Sequence, residues 1–192
     1  MDSGIKSLVH NKCICGPACT AVTPTGDFLP VLKALDVAQR GDVLVVDNQG
    51  NPDAALWGEI TSTEAQVKGL SGLVLDGLVR DITPIRDLGF PVFARGTSPR
   101  VSGRGSLGEV NVPIRCGGTV VSPGDIIVGD ADGVVVVPLG KAQAVLSKLQ
   151  SIVRYEEVLR SKVAEGTSQV EIYDLEELFE SIRQEHEALE NE

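Results

Sequence analysis

Histidine is nearly absent from these 192 residues: only His10 and His186 occur, each close to an end of the chain. That argues against a histidine-centred triad or a histidine-rich metal site. Aromatic residues make up only 4% of the sequence, so the interior has to be assembled from Val, Leu, Ile and Ala with many close turns, in keeping with 21 glycines. No apolar run approaches the roughly 18 residues of a membrane-spanning helix, and the first residues lack the apolar stretch of a secretory signal. A cytoplasmic protein is expected, with reduced thiols at Cys13, Cys15, Cys19 and Cys116.

Positive charge is also scarce. Lys and Arg number 17 against 27 Asp and Glu, for a net charge of −10 and a pI near 4.7. Such a chain repels phosphate backbones and anionic lipid, so neither nucleic acid nor membrane is an expected partner. From Ser168 to Glu192 nine acidic residues face a single basic one, Arg183, and the rest of the chain is therefore close to neutral. A small anionic substrate would not be turned away from it. None of the seven lysines falls in an expected buried strand, which disfavours a Schiff-base mechanism.

What is present is a run of short, wholly apolar strands separated by short helices. Residues 1–11 look like a loose arm, and Cys13 to Pro24 is a small-residue stretch that reads as a strand or an extended connection. Phe28, Leu32 and Leu35 lie at helical spacing between Asp27 and Gln39, and Val43 to Val46 reads as a buried strand. Thr61 to Lys68 is helical and closed by Gly69; Leu73 to Leu75 and Pro91 to Ala94 are further buried strands, with a short helix ending at Gly89 between them. Strands alternating with helices indicate a partly parallel sheet. After Arg95 the pieces Val110 to Ile114, Thr119 to Val121, Ile126 to Val128 and Val134 to Val137 are joined by glycine turns, a β-rich half. From Gly140 an amphipathic helix runs to about Ala164, followed by an acidic helix with Leu175, Leu178, Phe179 and Ile182 on one face. Such a stripe needs a cover, and a neighbouring subunit is a natural one.

Three local patterns invite chemistry and do not support it. Gly103-Arg104-Gly105-Ser106-Leu107-Gly108 has dinucleotide-loop spacing but opens a strand instead of a helix. The spacing of Cys13, Cys15 and Cys19 fits no common zinc knuckle and reads as small buried thiols. Asp130-Ala131-Asp132-Gly133 starts like a calcium loop but lacks its later ligands, and is a turn.

Carboxylate and guanidinium chemistry remains. Arg80 and Asp81 come where an apolar strand gives way to a helix, at the mouth of the sheet, and Gly58-Glu59 precedes a second helix whose N–H groups at Ile60 and Thr61 suit a carboxylate oxygen. By spacing alone Asp81 is equally well a helix N-cap beside a surface arginine. These residues, however, stand in a wider pattern. Gly41 to Asp47, Leu56 to Glu59, Gly72 to Asp81, Gly89 to Ala94 and Pro123 to Gly133 resemble the family containing 4-hydroxy-4-methyl-2-oxoglutarate aldolase and the regulator of ribonuclease E activity A. An acidic residue, twenty intervening positions and then Arg-Asp mark the aldolase branch, as Glu59, residues 60–79 and Arg80-Asp81 do here.

The resemblance implies an α/β fold of the swivelling β/β/α type, with residues 1–139 as catalytic domain and 140–192 as a helical extension for packing and subunit contacts. It implies a homotrimer or hexamer, and a metal-dependent lyase that releases pyruvate from 2-oxo acids and decarboxylates oxaloacetate. Asp81 would then hold Mg²⁺ or Mn²⁺, Glu59 would reach the ion through water, and Arg80 would grip the oxo acid. Gly58, Ile60 and Thr61 would bind its carboxylate, and Glu156 or Glu157 of an adjacent subunit would complete the metal site. The family also implies an alternative: a non-catalytic regulator that acts by binding a protein.

Overall fold

The computed structural model describes residues 1–24 and 26–190, with side chains through Gln184, so His186 and the last two residues of the acidic tail lie outside the described side chains. The chain divides into two compact units, Met1–Ala142 and Gln143–Glu192.

In the first unit the elements run β1 (Lys6–Ser7), β2 (Ile14–Val22), α1 (Leu29–Val37), β3 (Val43–Asp47), β4 (Ala55–Trp57), α2 (Glu59–Lys68), β5 (Gly72–Val79), α3 (Ile82–Leu88) and β6 (Val92–Thr97). Five short strands follow: β7 (Glu109–Val110), β8 (Ile114–Cys116), β9 (Thr119–Val121), β10 (Ile126–Gly129) and β11 (Val134–Val137). The main sheet has the order β1-β6-β5-β3-β2-β10-β11, with β4 beside β5 and β7 beside β2; β8 and β9 form a separate hairpin. Strands β2, β3, β5 and β6 are mutually parallel, and the outer pairings to β1, β10 and β11 are antiparallel.

Side-chain alternation explains why the parallel strands carry no polar face. Leu44, Val46, Leu73 and Leu75 point toward α1, α2 and α3, meeting Val31, Leu35, Ala65 and Ile85. Their neighbours Val43, Val45 and Val74 point the other way, onto Ile114, Val121 and Ile127 of the second β layer. A strand covered on both faces must be apolar throughout. Each such side chain contributes about 1.5–3 kcal/mol through burial. The result is the three-layer β/β/α arrangement expected from the sequence, and it sends the carboxyl ends of β3, β5 and β6 to one edge.

Several elements depart from the sequence reading. Residues 1–11 are not a loose arm: Ile5 and Val9 are buried, β1 pairs with β6, and the Met1 ammonium donates to the Val134 carbonyl at 2.8 Å. Arg95 on β6 ties Asp2 of this segment to buried Asp76. Residues 14–22 form a nine-residue strand at the middle of the sheet. Its pleat buries Cys19 and leaves Cys15 exposed, with Cys13 exposed just before it; the expectation of buried thiols therefore fails for two of the three clustered cysteines.

The second unit consists of α4 (Ala142–Ala164), α5 (Gln169–Ile172) and α6 (Glu176–Glu190). The Ser168 hydroxyl accepts the Glu171 N–H at 3.1 Å and caps α5, a turn of helix that periodicity did not reveal. Among the described residues no helix is long and apolar enough to cross a membrane.

Candidate active site

The edge where β4 and β5 end gathers Gly58, Glu59, Arg80 and Asp81. Strand β4 runs parallel to β5, and the Arg80 N–H donates to the Trp57 carbonyl at 2.8 Å, which brings the chain entering α2 against the chain entering α3. Buried Trp57 stacks on Phe90 at 6.2 Å and donates its indole N–H to the Ser62 hydroxyl at 2.6 Å. Both the N–H and the hydroxyl of Ser62 donate to the Gly58 carbonyl, at 3.0 and 2.9 Å. Thr61 grips Gly58 from the same side: its hydroxyl lies 3.0 Å from both the N–H and the carbonyl oxygen of that glycine. Gly58 is thus fixed from several directions.

Asp81 occupies the N-cap position of α3, yet its side chain makes no cap hydrogen bond. Its backbone is left-handed, with φ 56° and ψ 39°, a region that Asp tolerates better than most residues and that clusters at functional sites. This twist turns the carboxylate back toward α2. Oδ2 lies 3.3 Å from the Glu59 N–H and 3.4 Å from Arg80 Nε, while Oδ1 has no hydrogen-bond partner among the described residues. The Arg80 and Asp81 side chains are 42% and 40% exposed, so their pairing adds little stability and leaves both open to a ligand. The capping reading of Asp81 therefore gives way to one in which its carboxylate faces a shared space.

That space is a cavity of about 190 Å³ whose wall includes Gly58, Ile60, Thr61, Arg80 and Asp81. The N–H groups of Ile60 and Thr61, in the first turn of the ten-residue α2, donate to no protein acceptor among the described residues. Glu59 contributes its N–H to the cluster but its side chain is not part of the cavity wall. Glu156 lies in the second unit, where its carboxylate accepts from Arg160 at 2.8 Å.

The wall also holds two groups that the sequence reading did not single out, Arg104 and Glu64, together with Phe28 and Ser102. Arg104 belongs to the glycine-rich segment whose N–H groups are not free for a nucleotide: those of Gly105 and Ser106 both donate to Asp27 Oδ2. Burial alone would raise the Asp27 pKa, but these bonds and a third from the Leu29 N–H outweigh it and hold the group below its ordinary value. No sequence signal tied Asp27 to this loop, because its partners lie 78 and 79 residues away.

The residues present suit a hard divalent cation better than a soft one. No group of three or more His, Cys, Asp or Glu side chains converges anywhere among the described residues. Mg²⁺ and similar ions need no such cage: they bind through one or two carboxylates, waters and substrate oxygens. Asp81 Oδ1, half open and unengaged, is a donor of that kind.

Fold and site together define an α/β domain that carries a carboxylate and a guanidinium at the ends of its parallel strands. A family model described as "RraA-like: Aldolase/RraA" matches residues 1–136, and the chain belongs to that family. A protein of Halalkalibacterium halodurans named "Putative 4-hydroxy-4-methyl-2-oxoglutarate aldolase" is 40% identical over 173 residues, covering 90% of this chain and 82% of its own length. Among solved structures, an uncharacterized protein from Pseudomonas syringae matches with a TM-score of 0.79 at 30% identity, covering 86% of this chain and 78% of the other. Streptomyces coelicolor RraAS2, described as an unusual member of the RNase ES inhibitor RraA family, matches at 0.76 and 33% identity, covering 83% of each chain.

Proposed function

We propose that this protein is a divalent-metal-dependent aldolase that cleaves 2-oxo acids of the 4-hydroxy-4-methyl-2-oxoglutarate type to pyruvate, and that it decarboxylates oxaloacetate at the same site. The observation carrying this reading is the left-handed backbone of Asp81, which holds a half-open carboxylate beside Arg80 and the start of α2, on the wall of one small cavity.

Both reactions break a carbon–carbon bond next to a 2-oxo acid and leave the enolate of pyruvate. A Mg²⁺ or Mn²⁺ ion bound at Asp81 supplies Lewis-acid stabilisation of that charge. The chain's own groups do the rest. Arg80, whose Nε is turned to Asp81, presents its remaining N–H donors to the carboxylate and oxo oxygens as a planar fork. The Ile60 and Thr61 N–H groups, at the positive end of α2, receive the carboxylate from the other side. Glu59, exposed and outside the cavity wall, would act through water, passing a proton between solvent, the substrate hydroxyl and the enolate carbon. Buried Trp57 and Phe90 keep the floor beneath these groups rigid.

The site in this reading is completed by assembly as a trimer or hexamer, with Glu156 as the residue an adjacent subunit contributes. Exposed Leu178, Phe179 and Ile182 on α6, and the exposed apolar positions of α4, support assembly through the second unit. The alternative of a protein-binding regulator draws on the likeness to the RNase ES inhibitor, but a docking surface gives no reason for a carboxylate and a guanidinium to meet on the wall of one small cavity. The deciding experiment is a panel of 2-oxo acids incubated with the purified protein and assayed for pyruvate with and without Mg²⁺. Release from 4-hydroxy-4-methyl-2-oxoglutarate and oxaloacetate, abolished by EDTA, is expected. Silence across the panel, or turnover indifferent to EDTA, would overturn the proposal.

A further inference from the structure

Cys13 and Cys15 are exposed and stand outside the candidate active site. Ile14 between them is buried, so the chain alternates outward, inward and outward, and both thiols leave the same face of the backbone as it enters β2. That stretch cannot twist freely. Ile14 belongs to the core between the β layers and lies opposite Gly129 in the sheet, while Cys15 lies opposite Val128. A methyl group on Gly72 would come within 2.5 Å of Ile14 Cγ2, and one on Gly129 within 2.9 Å of Ile14 Cγ1. Two glycines thus clasp the side chain between the thiols, and extended backbone sets the spacing of the pair.

That spacing decides what the pair can do. Residues two apart on a strand have their Cα and Cβ atoms about 6.5 Å apart. A disulfide needs Cβ atoms about 3.5–4.5 Å apart, which this backbone does not supply without moving Ile14. One ion bridging two sulfurs needs less. Two metal–thiolate bonds of about 2.3 Å laid end to end span about 4.6 Å, so each Sγ has to lean only about 1 Å toward the other. Few further ligands are at hand. Among the described residues no three His, Cys, Asp or Glu side chains converge, and Cys19, about 13 Å along the strand from Cys15, is buried with its thiol 3.8 Å from the Ala34 carbonyl. Four-coordinate zinc therefore lacks its ligands here, whereas a soft ion satisfied by two thiolates does not. The cavity that Cys13 borders sets Asp130 and Asp132 against the single ammonium of Lys12, surroundings that favour a cation.

We propose that Cys13 and Cys15 form a two-thiolate site for a soft monovalent cation of the Cu(I) class, separate from the cavity at the ends of β4 and β5 and independent of the reaction proposed there. Binding exchanges two thiol protons for the ion: two R–SH and M⁺ give [RS–M–SR]⁻ and two H⁺, with no change of oxidation state.

The test is anaerobic titration of the full-length protein with Cu(I) against bicinchoninate, a chromophoric Cu(I) chelator. The wild-type protein is expected to withdraw one equivalent of Cu(I) and to lose both fast-reacting thiols as it does so. Cys13→Ser and Cys15→Ser, at exposed positions where serine costs little stability, should each weaken binding at least about a hundredfold, because one thiolate lacks the second attachment. Glutathione disulfide should produce no internal disulfide. Failure of the wild-type protein to compete with bicinchoninate, an affinity retained in either serine variant, or two equivalents bound to independent thiols would overturn the site. A wild-type mass lower by two hydrogens after glutathione disulfide, with both fast thiols lost, would refute the spacing on which it rests.

Discussion

A single methyl group at position 58 should disable the site while barely disturbing the fold. A Cβ built on Gly58 would come within 2.6 Å of Asp81 Oδ2 and 3.2 Å of both Cγ and Nε of Arg80. Something must move, and Gly58 is the part least able to, since Thr61 and Ser62 hold it through hydrogen bonds and Trp57 fixes Ser62 in turn. Its backbone is extended, at φ −158°, so alanine meets no conformational penalty there. The half-exposed Asp81 carboxylate rotates away instead, losing the Glu59 N–H and Arg80. The stability cost of Gly58→Ala should stay within about 1 kcal/mol, because the displaced groups are solvated and the lost ion pair is worth about 0–1 kcal/mol. A displacement of roughly 1 Å at reacting groups, in contrast, costs about a hundredfold in rate. Gly58→Ala should therefore melt within a few degrees of the wild type, while Mg²⁺-dependent oxalate binding weakens at least tenfold and any pyruvate-forming activity falls further. Full oxalate affinity in a Gly58→Ala protein of normal stability would show that the closeness of Gly58 to Asp81 has no bearing on ligand binding.

Other consequences follow from the same geometry. Asp81→Ala should remove Mn²⁺ binding measured by electron paramagnetic resonance, whereas Arg80→Ala should keep the ion and weaken oxalate; an unchanged oxalate affinity would count against Arg80. Cys13 and Cys15 should react quickly with a thiol reagent at pH 8. Cys19, whose pKa burial pushes up to about 11, and fully buried Cys116 should stay protected until unfolding, so four fast thiols in the native protein would contradict the described burial. Asp27 has a depressed pKa, so its contribution to stability is complete above the ordinary carboxylate value of 3.8 and is lost as the pH falls through its lower folded value. Acid should therefore loosen the segment around Arg104, read as faster amide exchange at Gly105 and Ser106. The Asp27→Asn protein should show this fast exchange already at pH 7, and protection there equal to the wild type would refute the pinning role.

The sequence disclosed those parts of the molecule whose causes are local. Val43 to Val46 and Leu73 to Leu75 could be read as strands because a strand buried on both faces has no polar position to confuse with a helix, and Gly69 and Gly89 marked helix ends by the left-handed backbone they adopt. The meeting of Gly58-Glu59 with Arg80-Asp81 was also legible, since adjacent parallel strands bring their carboxyl ends together. Long-range causes stayed hidden. The opening segment looked loose because what orders it, Arg95, Val134 and the edge of β6, lies about ninety or more residues away. Arg104 was visible only as part of a glycine-rich run opening a strand, because the direction of a loop side chain follows from what pins the loop, and Asp27 gives no sign of that duty in its own neighbourhood. The left-handed turn of Asp81 is likewise a property of the assembled edge, although Asp is among the few residues able to accept it.

The central claim, that this cavity stabilises the enolate of pyruvate, can be tested without knowing the natural substrate. In D₂O, the methyl protons of pyruvate exchange only if an enolate forms and is reprotonated, and proton magnetic resonance follows the loss of their signal. The account predicts exchange catalysed by the wild-type protein with Mg²⁺, and none with EDTA or with Asp81→Ala. Exchange no faster than in buffer with Mg²⁺ alone, or exchange that persists in the Asp81→Ala protein, would contradict it.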